Sequence, residues 1–152
     1  MRSGRTGVAL ALLAAVAIAR AQPQDKFTAT LGWVPIGGAE RADVAGDGAV
    51  TATLSGSKLS IVGSFEGLPA KVTGAKLHQG VAKGARGAGT ALAELRVTGG
   101  TDGTVSGDVR LSAEQVEALK AGRLYLQIYS EKGVQPDHGT LWGWLSSESP
   151  RR

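Results

Sequence analysis

Six side chains carry most of the chemical potential of this 152-residue sequence: His78 and His138, then Tyr125, Tyr129, Trp142 and Trp144. Two histidines with a nearby carboxylate such as Asp137 could hold copper or zinc through neutral imidazole nitrogens. The set is sparse, and the competing expectation makes His78 structural, hydrogen-bonded to Tyr129 or to backbone. Cysteine is absent, which removes thiol nucleophiles, thiolate metal sites and disulfides together. No serine lies in a Gly-x-Ser-x-Gly elbow, and nothing gives either histidine a partner serine. Asp43, Asp47, Asp102, Asp108, Glu114 and Glu117 are spread singly, so no spacing creates the carboxylate pair that glycoside cleavage requires. Asp43–Gly48 has the look of a calcium loop but lacks the spaced oxygen ligands and the closing glutamate. No glycine run ends in Gly-Lys-Ser/Thr ahead of a helix, as a phosphate loop would. The expectation is a non-enzymatic protein without a cofactor, with copper or zinc on His78 and His138 as the alternative.

The aromatics acquire meaning from the elements that carry them. Ser112 and Gln115 have the spacing of a capping box, Leu111 and Val116 that of a hydrophobic staple, and Gly122 supplies the left-handed residue that ends the helix. Beyond it Leu124, Leu126 and Ile128 alternate with Tyr125, Gln127 and Tyr129, the period of a half-buried strand. In the last strand Leu141, Gly143 and Leu145 alternate with Thr140, Trp142 and Trp144. If the leucines face the core and the strands are neighbours, Tyr125, Tyr129, Trp142 and Trp144 share one outer surface. Such a patch suits a protein or an envelope glycan as partner, or self-association. The competing placement packs the tryptophans under the Gln79–Gly89 loop or the helix.

Upstream, Phe27, Ala29, Leu31 and Trp33 alternate in a strand broken by Val34-Pro35. A polar loop from Gly37 to Gly48 leads to Ala49–Leu54. A hairpin turn at Ser55–Lys58 leads on to Leu59, Ile61 and Phe65, and strands at Val72–His78, Ala91–Val97 and Thr104–Leu111 follow. The 23 glycines and few aromatics fit short strands and tight turns. The predicted class is all-β: an antiparallel β-sandwich, or partly closed barrel, of about eight strands, with one short helix before the last two.

Arg2 and Arg5 followed by the apolar run Val8–Ala19 and Ala19-Arg20-Ala21 read as a cleavable signal peptide over 1–21. The run is shorter than the roughly 18 apolar residues of a spanning helix, so no stable membrane span is expected after cleavage. The expected division is a flexible arm at 22–26, one domain at 27–145 and a polar tail at 146–152. Three of the 17 basic residues lie in the signal, and the remaining 14 nearly balance the 13 acidic ones. That balance offers no electrostatic footprint for nucleic acid. The destination is periplasmic or secreted.

Taken in order, Phe27–Leu31 with Val34-Pro35, Phe65-Glu66-Gly67-Leu68, Ala75–Gly80, the stretch from Leu111 to Tyr125 and the strand Gly139–Leu145 resemble the CHRD (chordin) domain. The resemblance implies an extracellular binding or structural module, of the stand-alone kind found in exported bacterial proteins. Chordin's growth-factor binding is associated with separate cysteine-rich modules, which have no counterpart here. The family's A-H-I-H pair and a later strand histidine would suit a metal. In this chain Lys76 and Tyr129 stand at two of those three positions, leaving His78.

Overall fold

The computed structural model describes residues 21–81 and 89–148. All but the last residue of the expected signal peptide, the middle of the Gln79–Gly89 loop and the end of the polar tail lie outside the described residues. The strands are β1 (Gln24–Trp33), β2 (Asp47–Ser55), β3 (Lys58–Glu66), β4 (Val72–Gln79), β5 (Thr90–Gly99), β6 (Gly103–Arg110), β7 (Leu124–Val134), β8 (Gly139–Trp144) and β9 (Ser146–Ser147). Among the described residues the single α-helix, α1 (Ala113–Lys120), joins β6 to β7.

Eight strands close into an antiparallel barrel in the order β1-β2-β3-β6-β5-β4-β7-β8 and back to β1, with β9 added on β1. Two strands turn the corners. β1 pairs with β2 through Leu31 and with β8 from Gly32, while β5 pairs with β4 through Leu95 and with β6 from Arg96. The all-β reading is thus met by two half-barrels, built around β1-β2-β3-β6 and β4-β7-β8, that share their corner strands. Closure leaves few free edges, which suits a chain that cannot be stapled by disulfides.

The interior is filled by the alternation seen in the sequence. Phe27, Leu31, Ile61, Leu77, Leu126, Ile128 and Leu141 are all buried and belong to one cluster. The corner at Gly32 corrects one expectation: Trp33 lies outside, 43% exposed, while Val34 is buried beside the outer-wall cleft it lines with Trp142. Crossing from one half-barrel to the other breaks the two-residue period there. The Trp33 indole instead donates from Nε1 to the Gly46 carbonyl at 3.0 Å.

Two expected loose ends are strand. Gln24, Asp25 and Lys26, expected in a flexible arm, pair with Ser55, Leu54 and Thr53. Ser146 and Ser147, expected in the polar tail, pair with Thr28 and Phe27, and Lys26 meets Glu148 at 2.8 Å. Both segments are polar, so their order comes from ladder hydrogen bonds that periodicity of apolar residues does not announce.

The helix forms as its sequence dictates. Ser112 accepts from the Gln115 amide and donates its own amide to the Gln115 side chain. At the other end Gly122, at φ 71°, follows Ala121, and the amides of Gly122 and Arg123 bond the carbonyls of Leu119 and Ala118. That is the Schellman arrangement. Ala118 and Leu119 are fully buried, so α1 contributes to the core while it carries the chain past β5 and β4.

Candidate functional site

The outer wall formed by β4, β7 and β8 carries the site. Register sets it: His78 lies opposite Tyr125 and Tyr125 opposite Trp144, while Lys76 lies opposite Gln127 and Gln127 opposite Trp142. Their chain neighbours Leu77, Leu126 and Ile128 face the core. One wall of the barrel therefore holds two three-residue rows of imidazole, aromatic, amide and ammonium groups, anchored from behind by aliphatic packing.

The rows interlock. His78 stacks on Tyr125 with centroids 4.9 Å apart and planes 6° from parallel. Trp144 stands 4.7 Å from Tyr125 on a 45° tilt, and Trp142 meets Tyr125 and Trp144 nearly edge-on, at 5.7 Å from each. The Tyr125 hydroxyl accepts from the Gly89 amide at 3.0 Å. A β-carbon at Gly89 would come within 2.7 Å of that hydroxyl, so only glycine lets the chain approach this closely.

The expected aromatic face is therefore present but only partly open. Tyr125 and Tyr129 are 3% and 9% exposed, whereas Trp142 and Trp144 are half-buried. Stacking by His78 and the approach of Gly89 cover Tyr125, and neither contact is visible in the strand's own alternation.

His78 is itself buried, and its Nε2 lies 2.8 Å from the Tyr129 hydroxyl, the structural role open to it from sequence. Nδ1 has no partner of good hydrogen-bond geometry among the described residues. Burial holds the imidazole below its ordinary 6.5; the Gly89 backbone opposes this, Lys76 adds to it and Asp137 opposes it. The Tyr129 phenol is pushed up to about 12, first by burial and then by the Asp137 charge and Tyr125. At neutral pH the pair is a neutral imidazole against a protonated phenol.

The positions matching the family's other histidines do converge on His78. Lys76 Nζ lies 5.8 Å from the Tyr129 ring centroid, a cation–π distance, and 3.9 Å from Glu94. His138, by contrast, is tied into the β7–β8 loop: its Nδ1 lies 3.1 Å from the Glu131 carbonyl and its Nε2 2.8 Å from the Gln135 amide nitrogen. Both ring nitrogens are therefore engaged within the loop. Among the described residues no three histidines or carboxylates converge as metal ligands do.

Two clefts flank His78. One, of about 530 Å³, is lined by Lys76, Glu94, Tyr129 and Asp137, and the other, of about 360 Å³, by Pro35, Tyr125, Gln127, Gln135, Asp137 and Trp142. His78, Gly89 and Asp137 border both, and Trp144 lines neither. Gln127 was legible, since it alternates with the tyrosines; Gly89 and Gln135 were not, because loop geometry brings them in.

The arrangement defines a disulfide-free antiparallel barrel with a polar and aromatic recess on one outer wall. The family model for the CHRD domain matches residues 34–137, and the chain belongs to that family. The match runs from the end of β1 through β7 to Asp137. No curated protein and no solved structure matches the chain.

Proposed function

We propose that this protein is an exported, non-enzymatic binding module that holds its ligand on the outer wall of β4, β7 and β8. The observation that carries the reading is the pair of clefts sharing His78 and Asp137, beside the half-buried Trp142. Concave sites that combine an aromatic wall with a few convergent polar groups are the usual form of a binding site. Stacking on Tyr125 and the bond to Tyr129 fix the imidazole as part of the wall, which favours recognition over proton transfer. Export rests on the N-terminal signal and on the occurrence of CHRD domains in extracellular and secreted proteins. The ligand class is a protein or glycan of the cell envelope.

Co-sedimentation of the purified protein with isolated envelope fragments tests the reading. The wild type is expected in the pellet, and Trp142→Ser in the supernatant with an unchanged melting temperature. A wild type that stays soluble, or a variant that sediments equally well, overturns it. Amino-terminal sequencing of the exported protein, expected to begin at Gln22, checks the export step.

A further inference from the structure

Three features of the smaller cleft narrow the ligand further. Its volume, about 360 Å³, suits one or two sugar-sized rings and not a macromolecular face. The half-buried Trp142 provides its aromatic platform. Tyr125 is covered by His78 and Trp144, while among the described residues no ring stacks parallel on Trp142. An alkylammonium cage, which needs several ring faces around one charge, does not fit.

The polar wall completes the selection. Gln127 and Gln135 offer amides that both donate and accept, and Asp137 offers a carboxylate. Asp137 is the one charged side chain among the described residues lining this cleft, so among those residues an anionic ligand would meet a like charge and no compensating cation. Its Oδ1 is steadied by the Gly139 amide at 3.2 Å. The Gln127 amide lies where a β-carbon of residue 139 would be, so Gly139 gives it room beside the cleft.

We propose that this cleft takes a neutral pyranose unit of a polysaccharide. The C–H face of the ring lies on Trp142, and its hydroxyls bond Gln127, Gln135 and Asp137. The inference rests on the proposed function and names the ligand of that same wall.

Calorimetric titration with neutral glucans, mannans and galactans, and with polyuronates as anionic controls, tests it. A neutral polysaccharide is expected to bind. Trp142→Ala and Asp137→Asn should each weaken it by about tenfold or more, and Glu117→Gln, exposed on α1 and in neither cleft, should leave it unchanged. Asp137→Asn keeps the oxygen that accepts from Gly139, so it decides the matter with Gln127→Ala should Trp142→Ala fail to fold. Preference for polyuronates, or equal binding by Asp137→Asn and Gln127→Ala, overturns the inference. Envelope fragments that bind while every neutral polysaccharide fails would refute the sugar and leave the binding module standing. Failure of both ligands would refute both.

Discussion

His78 and Tyr129 are 51 residues apart in the chain, yet the imidazole Nε2 and the phenol oxygen meet at 2.8 Å on the outside of the barrel. The bond joins β4 to β7 beyond their backbone ladder and on a diagonal, since His78 lies opposite Tyr125 and Tyr129 opposite Gly74.

Removing the phenol oxygen leaves Nε2 without that partner. Tyr129→Phe is expected to cost about 1–2 kcal/mol, the penalty for orphaning a buried polar atom. Urea denaturation reads it as a lower midpoint at constant slope. A variant as stable as the wild type would show that the bond does not hold β4 to β7.

The protonation of His78 couples to folding. Its pKa in the fold is lowered, so the unfolded chain takes up the proton more readily. The stabilisation is fully present above the unfolded value of 6.5 and is lost as pH falls from there through the folded pKa. Urea midpoints between pH 7.5 and 5 should therefore decline, and His78→Gln should flatten that part of the profile. An identical decline in the variant would assign it to carboxylates.

Barrel closure has its own test at Gly143. A β-carbon there would stand 2.6 Å from the Thr30 carbonyl oxygen and 2.9 Å from Leu31 Cδ2. The first obstacle is backbone and cannot swing aside, so Gly143→Ala should cost about 1–3 kcal/mol through overpacking. Thermal unfolding measures it, and an unchanged midpoint would mean that β1 shifts freely against β8.

Copper(II) and zinc titration addresses the metal alternative. With His138 engaged in its own loop and His78 bonded to Tyr129, no stoichiometric uptake is expected. Tight binding that His78→Ala abolishes would show that the imidazole exchanges Tyr129 for a metal.

Strong local signals in the sequence became elements of the structure. The capping box at Ser112 and Gln115, the Gly122 stop and the alternation of β7 and β8 each follow from residues a few positions apart. Even the choice of wall for Tyr125, Gln127, Trp142 and Trp144 was legible, because the pleat leaves two faces and the aliphatics occupy one. What escaped depends on distant chain. The corner at Gly32 arises where β1 exchanges β2 for β8, and no local pattern marks it. Tyr125 is covered by Gly89, 36 residues earlier, and by His78, so its burial follows from tertiary stacking and not from strand period.

The shared corner strand has a consequence in time. β1 emerges from the ribosome before every other strand of the barrel, but its closing partners β8 and β9 emerge after all the rest. Joining Trp33 to Leu141 closes a loop of more than a hundred residues, a slow event dominated by chain entropy. Val34 and Pro35 on one side and Trp142 on the other belong to the same small cleft, so that recess does not exist until the ring shuts. Capture of the proposed ligand would accordingly be a readout of completed folding, and the bound ligand would hold the closed ring against opening by mass action.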